Sequence, residues 1–142
     1  MTITPRQVDL VCESAAAVDV ILEPFAAAFY TRLFERRPDI RRLFTSDPQV
    51  QAQKLAAEPR RIVSALRDPD RFRRQVRTLG ARRARYGAEA EHYDAVGAVL
   101  LDTFHAELGA AFTAQLHDAW AAAWATIAAD MLAASARVAV AV

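Results

Sequence analysis

Apolar residues recur along this chain at spacings of three and four positions, which is the period of an α-helix. The longest such face runs through Phe112, Leu116, Trp120, Trp124, Ile127 and Met131. A second face follows Tyr93, Val96, Leu100, Phe104 and Leu108, and a shorter one follows Phe72, Val76 and Leu79. The sequence shows no alternating stretch typical of a strand and no internal repeat. The pattern therefore predicts an all-α fold with these residues in its core.

One predicted helix near the amino end carries two apolar faces. Phe25, Phe29 and Leu33 form one face, and Tyr30 and Phe34 form the other. Because a helix packed on one side needs only one such face, we expect this helix to be contacted on more than one side.

Prolines mark the starts of several predicted helices, since the first turn of a helix needs no amide hydrogen at that position. The relevant pairs are Thr4-Pro5, Arg37-Pro38, Asp47-Pro48 and Asp68-Pro69. Together with the apolar faces they predict about seven helices, at roughly 5–18, 20–36, 38–44, 48–66, 70–86, 90–108 and 110–135. Pro59 lies inside the fourth of these, where it removes the bond to the carbonyl of Leu55 and predicts a kink.

Composition agrees with one helical globule. The chain has 142 residues, of which 54% are hydrophobic, 25% are charged and only 4 are glycine, and no linker divides it, so we expect a single domain over residues 1–142. The net charge of +1 gives no reason to expect nucleic acid or a membrane surface as partner. No stretch has the length and apolarity of a membrane span or signal peptide, which favours a cytoplasmic protein. The single cysteine, Cys12, predicts a buried thiol.

Arginine is concentrated between positions 67 and 85. This segment contains Arg67, Arg71, Arg73, Arg74, Arg77, Arg82, Arg83 and Arg85. Such a face could bind an acidic protein partner, or it could simply be a solvated helix surface, and no nucleic-acid motif accompanies it.

Several longer motifs resemble one family. They are "FYTRLFERRPDIRRLF" (29–44), "QAQKLAA" (51–57), "LGARRARYGAEAEHYDAVGAVLLDTF" (79–104) and "DAWAAAWATIAADM" (118–131). The chain resembles a globin, and among globins the single-domain bacterial haemoglobins and the globin domain of flavohaemoglobins. The resemblance runs nearly from end to end, and it implies a globin fold that holds haem.

The resemblance also implies roles for individual side chains around the haem. Tyr30 matches the tyrosine that donates a hydrogen bond to the bound gas, and Gln51 matches the glutamine that assists it. Phe44 matches the phenylalanine packed on the haem face, and Leu55 matches a residue of the distal pocket wall. We expect these four to converge with Arg83 on one cavity.

Arg83 is the main departure from the family pattern. It occupies the position of the proximal histidine, four residues before Gly87, and the motifs on either side leave no room for a shift in register. Tyr93 matches the tyrosine of the flavohaemoglobin proximal network, whereas Ser135 stands where that network has a glutamate. The three histidines lie elsewhere, at His92, His105 and His117; we expect His105 and His117 at the surface, and His92 matches a family residue that has no ligand role.

Arginine cannot replace histidine as an ordinary iron ligand. A ligand needs a free lone pair, and removing a proton from guanidinium at neutral pH costs on the order of 8 kcal/mol. The charge of Arg83 must instead reach solvent, pair with an acid or bind an anion such as a haem propionate.

Three functions remain open on this basis. The first is a haem protein that binds a diatomic gas, O₂ or NO, with weak or non-standard proximal ligation, in which Tyr30 itself could ligate iron as a tyrosinate. The second is a haem-free globin fold acting as a sensing or interaction module. The third, ranked last, is a nitric oxide dioxygenase that would need an external reductase. The identity of a metal ligand is left open.

Overall fold

The protein is described by a computed structural model that covers residues 3–40, 59–74 and 90–141, with side chains described up to residue 133. Every regular element in these ranges is helical. The predicted all-α fold is therefore confirmed.

The first two helices are α1, Pro5–Asp19, and α2, Leu22–Arg36. Thr4 begins α1 with a capping box, in which its hydroxyl accepts a hydrogen bond from the amide of Gln7 while the Gln7 side chain accepts one from the amide of Thr4. Pro5 follows in the first turn, where no amide hydrogen is needed. The start of α1 is thus set by local chemistry that the sequence already displays.

The remaining described elements are α3, Pro59–Arg67, α4, Ala90–Leu108, and α5, Ala114–Ala141. Short 3₁₀ turns occupy residues 38–40 and Gly109–Ala111, and residues 69–74 are also helical. The predicted kink at Pro59 depends partly on residues 41–58, which lie outside the described ranges.

The junction between α4 and α5 differs from the prediction that the last helix covers 110–135. A 3₁₀ turn intervenes because Gly109 adopts a positive φ of 55°, which is unfavourable for residues with a side chain. Thr113 then caps α5 by accepting a hydrogen bond from the amide of Leu116 at 3.2 Å. The helix consequently starts at Ala114, and it continues to Ala141.

The core forms where these helices cross. Helix α5 packs against α1, α3 and α4, and α2 packs against α4. Phe104 of α4 lies at the centre, with its ring centre 5.0 Å from Phe25, 5.0 Å from Phe112 and 4.5 Å from Trp120. All four rings are buried, so the apolar faces predicted in α2, α4 and α5 do meet in one core.

Polar side chains also join helices within the core. The indole nitrogen of Trp120 donates a 2.8 Å hydrogen bond to the hydroxyl of Ser14 in α1. Arg32 of α2 donates to the buried hydroxyl of Thr103 in α4 at 3.2 Å. Because a buried polar atom without a partner is costly, these bonds help to specify which helices meet.

Two further expectations can be compared with the structure. The two-faced pattern of α2 is confirmed, since Phe25, Phe29 and Leu33 are buried while Tyr30 and Phe34 pack half-buried against the core. The prediction that Cys12 is a buried thiol is wrong, because this residue is only half-buried.

In the part of the chain that the structure describes, no helix combines the length and apolarity needed to cross a membrane.

Candidate functional site

Tyr30 is the described member of the predicted distal pocket. It lies on the second apolar face of α2, where its ring stacks on Phe34 at 5.7 Å and meets the edge of Phe29 at 5.3 Å. The side chain is half-buried, but its phenolic oxygen is fully buried. The ring is therefore held by its aromatic neighbours with the hydroxyl directed away from solvent.

Tyr93 occupies the first turn of α4 and is 2% exposed, and its phenolic oxygen is also fully buried. Its backbone carbonyl accepts a 2.9 Å hydrogen bond from the indole nitrogen of Trp124 in α5. This contact across two helices ties the backbone that carries Tyr93 to the core.

A glycine makes the contact between Trp124 and Tyr93 possible. Gly97 lies one turn after Tyr93, and a Cβ atom there would come within 2.7 Å of the indole nitrogen of Trp124 and closer still to its Cδ1. The missing side chain leaves the Tyr93 carbonyl open to a donor from α5. Sequence reasoning did not identify this role, although an isolated glycine inside an apolar helix is a recognised sign of close packing.

The other predicted site residues lie outside the described ranges. Phe44, Gln51 and Leu55 belong to residues 41–58, and Arg83 belongs to residues 75–89. The side chain of Ser135 is likewise not described. The convergence of these residues with Tyr30 on one cavity stays a prediction.

His92 lies beside a charged cluster of Arg37, Asp39 and Glu91. Its Nε2 atom lies 3.7 Å from a carboxylate oxygen of Asp39 and 3.8 Å from one of Glu91, and the side chain is buried. Arg37 donates to both oxygens of Asp39, at 3.0 and 2.8 Å. These bonds are the main reason that the pKa of Asp39 falls to about 2. His92 is therefore flanked by the carboxylates of Asp39 and Glu91, and the sequence did not reveal this network.

The other two histidines lie together at the junction of α4 and α5, as the sequence predicts for surface residues. His105 is exposed, and the side chain of His117 is 40% exposed. Within residues 3–40, 59–74 and 90–133, no group of three or more histidine, cysteine or acidic side chains could hold a metal ion.

Part of the arginine-rich segment can be described. Arg67, Arg71, Arg73 and Arg74 are all exposed. Arg73 reaches Asp70 at 3.0 Å and Asp130 of α5 at 3.8 Å. The described half of this segment is thus a solvated cationic surface, with one arginine partly neutralised by acids of the chain itself.

These features can be placed beside known proteins. The Globin family profile matches residues 27–131, which is most of the chain. The chain therefore belongs to the globin family.

Its curated relatives are longer proteins. The flavohemoprotein of Bordetella pertussis is 36% identical over 113 residues, which cover 78% of this chain and 28% of that protein. The flavohemoprotein of Deinococcus radiodurans is 28% identical over 129 residues, which cover 89% of this chain and 32% of that protein. The chain spans less than a third of the length of these relatives.

Solved structures show the same architecture. An engineered carbene transferase, made from a candidate nitric oxide dioxygenase of Rhodothermus marinus, is 28% identical with a TM-score of 0.83, and the match covers 99% of this chain and 98% of that one. A bacterial globin from Campylobacter jejuni is 21% identical with a TM-score of 0.77, covering 96% and 99% of the two chains. The flavohemoglobin of Malassezia yamatoensis, solved with FAD and heme, is 16% identical with a TM-score of 0.78, and this chain covers 38% of it. The last two likenesses show the fold alone.

The residues of this chain fit a haem group only in part. Tyr30 offers a buried phenol, which suits a hydrogen-bond donor to a bound gas. Arginine at position 83 offers no lone pair at neutral pH. His92 is buried beside Asp39 and Glu91, and His105 and His117 lie at the exposed helix junction. A buried phenol suited to donate a hydrogen bond is therefore present, whereas arginine at position 83 has the wrong chemistry for an axial ligand.

Proposed function

We propose that this protein binds haem and, through it, a diatomic gas such as O₂ or NO. The observation that carries the proposal is the buried phenol of Tyr30 on the inner side of α2, in a chain that belongs to the globin family. Tyr30 donates a hydrogen bond to the gas, and Gln51 assists it. Phe44 packs on the haem face and Leu55 closes the distal wall. The flavohemoprotein relatives support this assignment.

The proximal side distinguishes this protein from an ordinary globin. Since Arg83 cannot ligate iron, the iron would be four-coordinate or weakly held while Tyr30 donates to the gas. The tyrosinate of Tyr30 would be the best-placed substitute ligand, but Tyr30 would then give up its role as hydrogen-bond donor. Tyr93 matches the tyrosine of the flavohaemoglobin proximal network and lies on the proximal side, where the family has a histidine at the position of Arg83. Arg83 directs its charge to solvent or to an anion such as a haem propionate.

The same position favours one alternative. If Arg83 pairs with an anion inside the cavity, the fold needs no haem and serves as a sensing or interaction module. The exposed arginines from Arg67 to Arg74 then offer a surface for an acidic partner.

Hemin titration tests the proposal. The visible absorption spectrum of the purified protein is recorded before and after addition of hemin, for the wild type and for Arg83→His. We expect wild type to bind hemin and Arg83→His to bind it at least tenfold more tightly, because a neutral imidazole supplies the missing axial bond next to Tyr93. The reduced variant should show a histidine-ligated spectrum.

Arg82→His is the matched control. It adds the same imidazole one position away, about 100° around the helix predicted from the sequence, so it should leave hemin affinity at the wild-type level. If wild type and Arg83→His both fail to take up hemin, the haem proposal is wrong and the haem-free module replaces it.

A further inference from the structure

Two imidazoles and a phenylalanine meet where α4 ends and α5 begins. The rings of His105 and His117 have centres 5.5 Å apart, at an interplanar angle of 39°. Phe112 lies between the two helices and meets both imidazoles edge-on. Its ring centre is 4.7 Å from that of His105 and 6.3 Å from that of His117. Because Phe112 is buried, it anchors both imidazoles to the core. His105 is exposed, and the side chain of His117 is 40% exposed.

The two imidazoles have different surroundings. The described contacts of His105 are ring contacts, and the residue is exposed. His117 directs its Nδ1 atom towards a carboxylate oxygen of Asp118 at 3.4 Å. When Nδ1 carries the proton in such a contact, the lone pair of the neutral imidazole is on Nε2, which is the arrangement that carboxylates impose on metal-binding histidines.

The distance between the ring centres is compatible with two imidazoles on one metal ion. Zinc binds an imidazole nitrogen at about 2.0–2.1 Å, which puts the ring centre about 3.2 Å from the metal, so two imidazoles at a tetrahedral angle have centres about 5.2 Å apart. The observed 5.5 Å is close to that value. A right-angled pair, as in square-planar copper(II), would need centres about 4.5 Å apart.

We propose that His105 and His117 form a Zn²⁺ site at the junction of α4 and α5, with Asp118 as a positioning residue for His117. No third histidine, cysteine or acidic ligand completes the site among the described residues, so water fills the other coordination positions. The site is independent of haem and joins the end of one helix to the start of the next across the Gly109–Ala111 turn. Zn²⁺ bound there stabilises the folded state, because the two ligands converge only when both helices are in place.

Zinc titration by calorimetry tests the site. The protein carries no polyhistidine tag, has been stripped with a chelator, and contains Cys12→Ser so that the thiol cannot compete. We expect one equivalent of Zn²⁺ to bind, and saturating Zn²⁺ to raise Tm by several degrees. His105→Gln and His117→Gln should each weaken binding at least tenfold and remove the rise in Tm. Asp118→Asn should weaken binding by up to about tenfold.

His92→Gln is the matched control, since it removes a histidine elsewhere in the fold and should leave zinc affinity unchanged. Circular dichroism of each variant without metal verifies that it is folded. The proposal is overturned if wild type binds no Zn²⁺, or if either His105→Gln or His117→Gln binds it as tightly as wild type.

Discussion

At the scale of single residues, the pKa of the Asp39 carboxyl is set mainly by one neighbour, Arg37. Arg37 donates two hydrogen bonds to the carboxylate, and these bonds, with the attraction between the charges, lower the pKa of Asp39 from 3.8 to about 2. The same contact raises the pKa of Arg37. Asp39 is exposed and Arg37 is half-buried, so the effect of the pair on stability is small, yet its dependence on pH has a definite sign.

Asp39→Asn should therefore destabilise the protein at neutral pH and not in strong acid. A lowered folded-state pKa contributes stability above pH 3.8, and this contribution disappears as the pH falls towards about 2. We expect the variant to have a Tm at most a few degrees below wild type at pH 7, and the gap to close between about pH 4 and pH 2. Thermal melts across this range measure it.

Val20→Ala is the control for the Asp39 series. Val20 is 85% exposed and the substitution changes no titrating group, so its small offset in Tm should be the same at every pH. If the difference in Tm between Asp39→Asn and wild type persisted unchanged at pH 2, it would contradict the role assigned to the Arg37 contact.

At the scale of helices, the approach of α4 to α5 depends on Gly97. A side chain there would collide with the indole of Trp124, which is 6% exposed and bonded to the carbonyl of Tyr93. Alanine is the better helix former by about 1 kcal/mol. Overpacking costs about 1–3 kcal/mol, and breaking a buried hydrogen bond costs a similar amount, so the collision outweighs the gain in helix propensity.

Gly97→Ala should consequently lower the free energy of unfolding by about 1–3 kcal/mol, measured by urea denaturation followed by tryptophan fluorescence. The same substitution in a Trp124→Phe background should cost less, because the smaller ring leaves space and has no N–H to lose. A Gly97→Ala variant more stable than wild type would show that α4 and α5 do not approach this closely.

At the scale of the whole molecule, Phe104 links the elements into one core. Its ring touches Phe25 of α2, Phe112 of the α4–α5 junction and Trp120 of α5, and it is 0% exposed. Truncating Phe104 therefore tests directly how much the packing of these helices contributes to stability.

Phe104→Ala should lower the free energy of unfolding by about 3–5 kcal/mol, because a cavity forms among three rings that remain. Urea denaturation monitored by circular dichroism measures the loss. Leu101→Ala, on the half-buried side of the same helix, is the control and should cost clearly less. Equal losses for the two variants would mean that the core is not centred on Phe104.

Much of the fold could be predicted because helical faces are local. The spacing from Tyr93 to Phe104 identified residues that are indeed buried. The face from Phe112 to Met131 is also buried except for Leu116, which is half-buried, and Thr4-Pro5 marked the start of α1. For the candidate site, the buried phenol of Tyr30 agrees with its place on the second face of α2. Its convergence with Gln51 and Arg83 is still a prediction.

The sequence by itself determined which residues face inward, and it showed that position 83 holds no ordinary iron ligand, because periodicity and side-chain chemistry are properties of neighbouring residues. Only the tertiary structure decided which distant groups meet. Trp124 bonds the carbonyl of Tyr93 across 31 positions, and Asp39 lies 3.7 Å from His92. No local period encodes such pairs, since they depend on how whole helices cross. The imidazole pair at the α4–α5 junction follows the same rule, because it required the turn at Gly109 to bring His105 and His117 together.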